Sequence, residues 1–287
     1  MRGSGVLLNI SSLPSEFGIG GFGNETVKFA EFLKLGDCKW WQVLPMTTIG
    51  LGESPYSGVS AFAGNYLYID PIMLRDSGYL TYEECDSLKY YGSPYVVDYE
   101  FCYGQKRKAV QMAYQHILQS NTDVLYTYTN EERDWLMDYA IFMALKDYHN
   151  GKPWFEWEDK YKKRDHSALG EFMKEHSQDV DYYIWEQYLF AEQWKTRKKQ
   201  INDLGIGIIG DMPIYVSYDS VDVWANPNYF DLDSDFKPNK VAGVPPDYFC
   251  AEGQLWGNPL YNYDEMKKDN YFWFCSRIER MFKLYDK

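Results

Sequence analysis

The sequence predicts an α/β chain of the TIM (β/α)8-barrel type, here incomplete: the first three barrel strands with an inserted helical subdomain. Three observations predict it. Short apolar runs alternate with amphipathic stretches, the pattern of strand–helix units that place parallel strands side by side. Only three such units can be found in the 287 residues, whereas a closed barrel needs eight. Long excursions follow the second and third units, where barrels and open α/β sheets place their binding loops.

Gly5-Val6-Leu7-Leu8-Asn9-Ile10 reads as a short buried strand. Asn24-Glu25-Thr26 then starts a helix with apolar Val27, Phe29, Ala30, Phe32 and Leu33, which Gly36 ends. Trp40-Trp41-Gln42-Val43-Leu44-Pro45 is the second strand, and the βαβ rule makes it a parallel neighbour of the first. A Gly/Ser/Pro/Thr loop over 46–65 leads to a possible strand at Tyr66-Leu67-Tyr68-Ile69. Residues 1–72 thus hold two βα units and a loop. Residues 73–181 read as the inserted helical subdomain, its clearest helix running from Glu131 to His149. In 182–287, a helix over Tyr182–Asp203 stopped by Gly205 feeds the third strand, Ile206-Gly207-Ile208-Ile209-Gly210-Asp211. Residues 212–262 read as one long loop. Asp264–Asp286 reads as a helix with Phe272, Cys275, Ile278, Phe282 and Tyr285 on one face, leading toward a fourth strand. The outer edge of the third strand is expected to be uncovered.

Composition narrows the function. Lys plus Arg is 29 and Asp plus Glu is 42, so 29 − 42 gives a net charge of −13. A negative surface repels phosphate backbones and anionic lipids, which argues against nucleic acid and membrane partners. No run approaches the roughly 20 apolar residues of a membrane span. Met1-Arg2-Gly3-Ser4-Gly5 leads into too few apolar residues for a signal peptide, so a cytoplasmic location is expected. Five cysteines stand singly, without a C-x-x-C pair, which disfavours both a disulfide framework and a structural zinc site. The four histidines all fall within the central helical segment. Gly18-Ile19-Gly20-Gly21-Phe22-Gly23 lacks the Lys-Ser/Thr of a phosphate loop and the spacing of a dinucleotide fingerprint. Lys195-Thr196-Arg197-Lys198-Lys199 reads as a solvated helix face.

Aromatics make up 18% of the chain, and many stand in Gly- and Pro-rich loops. Core packing accounts for most of them. Those in loops offer flat apolar faces with polar edges, which suit stacking on sugar rings. Candidate chemistry follows each strand. Asn9 with Ser11-Ser12-Leu13-Pro14 follows the first, and Glu53-Ser54-Pro55-Tyr56-Ser57-Gly58 follows the second. Asp211-Met212-Pro213-Ile214-Tyr215-Val216 follows the third. Asp211 either organises the turn before Pro213 or offers a carboxylate to sugar hydroxyls or to another catalytic carboxylate. Tyr56 is either a packed loop aromatic or a stacking platform. The stretch Ala242 to Phe249, continuing as Gly253-Gln254-Leu255-Trp256-Gly257-Asn258-Pro259, joins stiff prolines to aromatic rings and amides. Rings can stack there while amides bond hydroxyls.

These segments resemble the 4-α-glucanotransferases of glycoside hydrolase family 77, the amylomaltases or disproportionating enzymes. The resemblance rests on Gly5-Val6-Leu7-Leu8 with Ser11-Ser12-Leu13-Pro14; Trp41-Gln42-Val43-Leu44-Pro45; Ser54-Pro55-Tyr56-Ser57 with Ser60-Ala61-Phe62-Ala63-Gly64-Asn65; and Trp135-Leu136-Met137-Asp138-Tyr139-Ala140. It continues through Gly210-Asp211-Met212-Pro213-Ile214-Tyr215-Val216, Asp219-Ser220-Val221-Asp222-Val223-Trp224 and the two stretches after Ala242, in family order. It implies a TIM-barrel scaffold and a retaining double displacement that moves α-1,4-glucan segments between maltooligosaccharides, with no cofactor and no metal. Retaining chemistry needs a nucleophile and an acid/base about 5–5.5 Å apart. In the family the nucleophile lies in an Arg-Ile-Asp-His stretch on the fourth strand, and the other two carboxylates follow. Arg277-Ile278-Glu279-Arg280 is not that stretch, so none of the three is expected here, and the C-terminal half of the barrel is the implied partner. The resemblance makes Tyr56 a sugar-stacking residue and Asp211 a supporting carboxylate. It places Asp247, Tyr248 and Phe249 on a mobile loop over the cleft, and Gln254, Trp256 and Asn258 in a glucan-contact motif. Asn9 and Ser54 complete the candidate set. The rival readings are a non-catalytic α-glucan-binding protein and a hydrolase in which water replaces the acceptor sugar.

Overall fold

The computed structural model describes residues 3–50, 52–118 and 123–287; Met1 and Arg2 of the leader reading, Leu51 and residues 119–122 lie outside it. Strands β1 (Gly5–Leu7), β2 (Trp40–Gln42) and β3 (Gly207–Ile209) form one parallel sheet in the order β1-β2-β3. The register pairs Val6 with Trp41 and Trp41 with Ile208. Chain neighbours are therefore sheet neighbours, as the opening strands of a (β/α)8 barrel would be. A second, antiparallel pair joins β4 (Val241–Val244) and β5 (Gln254–Pro259).

The helices are α1 (Asn24–Leu35), α2 (Pro71–Asp76), α3 (Tyr82–Asp86), α4 (Tyr99–Ile117), α5 (Asp123–Glu131) and α6 (Leu136–Tyr148). They continue with α7 (Asp159–Lys162), α8 (His166–Glu175), α9 (Ser177–Asp203), α10 (Val221–Ala225), α11 (Tyr263–Lys268) and α12 (Phe272–Leu284). Side-chain caps start several of them: Asp70, Thr81, Asp98 and Asp165 each accept from a backbone N–H in the first turn.

Helix α9 organises the packing. Phe190 and Trp194 each hold a ring centroid 5.2 Å from Phe22, beneath the sheet. Two buried glutamines on the same helix act as backbone surrogates. Gln187 accepts from Gly64 N–H at 2.7 Å and donates to Gly64 O at 3.0 Å. Gln193 does the same with Asp70, at 2.7 and 3.1 Å. Segment 64–70 is thus satisfied without pairing as a strand, since each backbone amide that α9 clamps no longer needs a ladder partner.

Several sequence expectations change. The first strand is not buried: Gly5, Val6 and Leu7 are all exposed, because β1 pairs only on its β2 side among the described residues. Tyr66–Tyr68 is a 3-10 turn instead of a strand, since Asn65 accepts from Leu67 N–H at 3.0 Å and curls the chain. The helix expected over Glu131–His149 is shorter: α6 begins only at Leu136, because residues 132–135 form a turn in which Trp135 leaves helical geometry and donates to Glu132 at 2.7 Å. The helix expected from Tyr182 starts at Ser177, burying Val180 one turn earlier. Residues 212–262 are not one loop: Ser220 caps α10, and the β4–β5 hairpin forms further on. Asp264–Asp286 splits into α11 and α12 at Asn270 and Tyr271, both left-handed (φ 60° and 58°).

The orientation of α12 also departs from expectation. Phe272, Cys275, Ile278 and Phe282 face outward, and Trp273, Arg277, Arg280 and Leu284 face inward. The inward arginines meet backbone carbonyls left free by irregular segments: Arg280 donates to Phe62 O at 3.2 Å, and Arg277 donates to Pro213 O. The outer edge of β3 is partly covered too. Asp286 N–H donates to Ile208 O at 3.0 Å, and Gly210 N–H donates to Lys287 O at 2.8 Å. The basic run on α9 is only partly solvated, since Arg197 donates to Phe22 O at 2.5 Å and Lys198 lies 3.4 Å from Asp286. No helix among the described residues is long and apolar enough to cross a membrane.

Candidate functional site

An open cleft of about 620 Å³ lies at the carboxyl end of the sheet. The segment after β2 supplies Ser54, Tyr56 and Ser57; the segment after β3 supplies Asp211 to Tyr215; β5 supplies Gln254, Trp256 and Asn258. Six of the ten residues singled out in the sequence therefore line one cavity. The volume is in the range of small-ligand sites, about 300–1,000 Å³.

The Tyr56 hydroxyl donates to Asp211 Oδ2 at 2.6 Å. This bond to Asp211, with partial burial and the charge of the same carboxylate, pushes the Tyr56 phenol up to about 12. Trp256 Nε1 donates to Gln254 Oε1 at 3.0 Å, which ties the two side chains together on one face of β5. Asn258 Nδ2 donates to Val216 O at 2.7 Å, stapling β5 to the segment beneath it. Trp256 is about half exposed and its ring lies 6.4 Å from Tyr215, so its face is open to a ligand.

Four residues of the set stand apart. Asn9 donates to Ser11 at 2.7 Å and accepts from the Tyr68 hydroxyl at 3.2 Å, so its amide is committed beside the end of β1 and does not line the cleft. Asp247 turns into its own loop, accepting from Phe249 N–H at 2.9 Å and Cys250 N–H at 2.8 Å. Tyr248 and Phe249 are 97% and 90% exposed at the tip of that loop, also outside the cleft lining. Two apolar rings held in water by a braced turn are costly unless they meet a ligand or a partner.

The stretch Asp211–Val216 is expected at a strand end, but only Asp211 is singled out in it; Met212, Pro213, Ile214 and Tyr215 also line the cleft. The signal was available in their position after a strand end. Sequence reasoning also missed the support beneath, where the Tyr261 hydroxyl donates to Ile214 O at 2.8 Å and the Tyr261 ring stacks on Tyr215 at 5.8 Å. Among the described residues, no cluster of three or more His, Cys, Asp or Glu could hold a metal ion.

The same fold occurs in known proteins. The whole chain superimposes on an amylomaltase from Streptococcus agalactiae in complex with acarbose, with a TM-score of 0.95 and 42% identity, covering 58% of that chain. An amylomaltase from Corynebacterium glutamicum, 19% identical, shares the fold with a TM-score of 0.70 over 99% of this chain and 40% of its own. In sequence, the 4-alpha-glucanotransferase of Aquifex aeolicus is 39% identical over all of this chain and 58% of its own length. That of Thermus thermophilus is 40% identical over 99% and 57%. The profile of the 4-alpha-glucanotransferase family (glycoside hydrolase family 77) matches residues 8–287. The fold is thus one shared with amylomaltases, on a chain that spans less than two thirds of these relatives' length. The chain belongs to the 4-alpha-glucanotransferase family.

Proposed function

We propose that residues 1–287 form the α-1,4-glucan-binding part of a 4-α-glucanotransferase that moves glucan segments between maltooligosaccharides by a retaining double displacement. The observation that carries this reading is the meeting of Tyr56, Asp211 and Trp256 in one open cleft, from three separate segments. Two aromatic rings and a carboxylate lining one cleft suit a sugar, whose faces are apolar and whose edges carry hydroxyls. In this reading Tyr56 stacks, Asp211 binds hydroxyls and supports the reacting centre, and Gln254, Asn258 and Ser54 bond the sugar edge. The Asp247–Phe249 loop tip closes over the bound chain, and Asn9 acts from behind the cleft through Tyr68. Residues 73–181 are the helical insertion between the second and third strands, and Asp286-Lys287 opens a fourth strand onto the remaining half of the barrel.

A second reading, glucan binding without catalysis by this stretch alone, is favoured by one observation. Asp211 is the one carboxylate among the described residues that line the cleft, and residues 1–287 contain no Arg-Ile-Asp-His stretch. A retaining mechanism needs two carboxyl groups. We therefore propose that this polypeptide binds maltooligosaccharides at about millimolar affinity or weaker and does not transfer them. The five free cysteines fit a reducing, cytoplasmic setting. The test is calorimetric titration with maltoheptaose, alongside product analysis on maltotriose. Binding that Tyr56→Ala and Trp256→Ala each abolish, without new products, is the expected result. No heat of binding would remove the glucan reading. Turnover lost in Asp211→Asn would make Asp211 catalytic.

A further inference from the structure

Beneath the cleft, a pair of opposite charges is almost completely enclosed: Asp222 is 3% exposed and Arg277 1%. Burying two charges is expensive, and each must be matched by close partners. Their partners are informative. Asp222 Oδ2 accepts from Ala61 N–H at 2.7 Å, in the segment that carries Tyr56, and the adjoining Val221 N–H donates to Val59 O at 2.9 Å. Arg277 donates to Pro213 O, two residues beyond Asp211, and to the Tyr261 hydroxyl at 3.4 Å. Asp222 and Trp273 line one cavity, and the Arg277 guanidinium lies 5.4 Å from the Trp273 ring centroid, so the two charged groups border one indole. A small void lined by Tyr56, Ala61, Pro213 and Arg277 lies where the two segments meet.

We propose that Asp222 and Arg277 form a charged brace of two positioning residues: Asp222 holds the segment bearing Tyr56, Arg277 holds the segment bearing Asp211, and together they set the spacing of the two cleft walls. Neither residue touches ligand. A hydrophobic pair could fill the same volume but could not satisfy Ala61 N–H and Pro213 O, whose orientation aims the residues on either side. The brace rests on the glucan-binding reading only for its effect on affinity; its effect on the Tyr56–Asp211 contact is independent of any ligand.

The experiment has two readouts on the 287-residue chain. The first is the Tyr56 ring resonance in ring-13C tyrosine-labelled protein at pH 7, assigned by its loss in Tyr56→Phe. The second is maltoheptaose affinity. Arg277→Met and Asp222→Asn should both move the Tyr56 resonance and weaken maltoheptaose binding about tenfold, with Arg277→Lys intermediate. Leu169→Ala, a buried change on α8 away from the cleft, should lower the melting temperature and move neither readout. If Arg277→Met does not fold, Asp222→Asn and Arg277→Lys decide. Folded variants whose Tyr56 resonance is unchanged would overturn the brace. A wild-type chain that binds no maltoheptaose would overturn the glucan reading, while the resonance still decides the brace.

Discussion

Tyr56 and Asp211, 155 residues apart in sequence, share a 2.6 Å hydrogen bond in which the phenol donates and the carboxylate accepts. The phenol can donate only while protonated, so the contact holds it well above the ordinary tyrosine value, at about 12. The folded value lies above the unfolded one, so the contribution to stability is complete below about pH 10 and is lost as pH rises through about 12. Asp211→Asn should return Tyr56 toward about 10, read by NMR titration of its ring carbons. A Tyr56 that still titrates near 12 in Asp211→Asn would exclude the carboxylate as the cause.

Glu186 on α9 is fully enclosed, accepting from the Tyr139 hydroxyl at 3.1 Å and from Gln187 Nε2 at 3.2 Å. Burial raises its carboxyl from about 4.5 to about 7, against the lowering effect of these two donors. The folded state thus holds the proton more tightly than the unfolded chain. The stability carried by the neutral acid is full below about pH 4.5 and is lost as pH rises through about 7. Glu186→Gln keeps an acceptor for both donors and has nothing to ionise. It should stabilise the protein at pH 8 relative to wild type by about 2–3 kcal/mol and hardly at all at pH 4.5. Urea denaturation at the two pH values measures this, and an equal effect at both would show that Glu186 does not titrate in this range.

Gly210 ends the third strand with no room for a side chain. A Cβ there would lie 2.1 Å from the Tyr285 ring, which is itself buried and whose hydroxyl accepts from Met46 N–H at 3.2 Å. Gly210→Ala should cost about 1–3 kcal/mol or more, since the ring cannot yield without breaking its bond to Met46. Chemical denaturation reads the loss. In a Tyr285→Ala background the same change should cost much less if the clash is the reason.

Tyr248 and Phe249 touch little besides each other, at 5.7 Å between centroids. Tyr248→Ser with Phe249→Ser should leave stability within about 0.5 kcal/mol of wild type, as expected for fully exposed sites. The same change should weaken maltoheptaose binding several-fold if the loop tip closes on ligand. Unaltered affinity would separate this loop from the glucan site.

How much of this could be read from residues alone varies with the kind of signal. The three parallel strands were legible because Val6-Leu7, Trp41 and Ile208-Ile209 sit in apolar runs bounded by helices of clear period. The common cleft of Tyr56, Asp211 and Trp256 was legible because strand ends in α/β folds converge on one face. What failed was local geometry imposed by tertiary partners. Nothing in Tyr66–Ile69 announces that Gln187 and Gln193, more than a hundred residues on, will clamp the flanking backbone and remove the need for a strand. The inward face of α12 was misread for the same reason. Nothing in the sequence marks Arg277 and Arg280 as inward until the carbonyls of Pro213 and Phe62 are in view, and the Phe272–Phe282 stripe reads as one helical face although it faces out. The family resemblance sets Asp247 on a loop over the cleft, and nothing in the sequence shows that its carboxylate caps its own turn.

The contacts of residues 284–287 also bear on how the chain acquires this shape. Leu284 O accepts from Trp194 Nε1 at 2.9 Å, the Tyr285 hydroxyl reaches Met46, and Asp286 and Lys287 meet Ile208 and Gly210. Met46 and Tyr285 are 239 positions apart. During vectorial synthesis the first two strands emerge long before the residues that close the space under Gly210, so the N-terminal region must wait in an open, sticky form. Non-local closure of this kind slows folding and prolongs exposure of apolar surface. The nascent chain should therefore depend on a holding chaperone at least until the segment around residue 285 has cleared the ribosome.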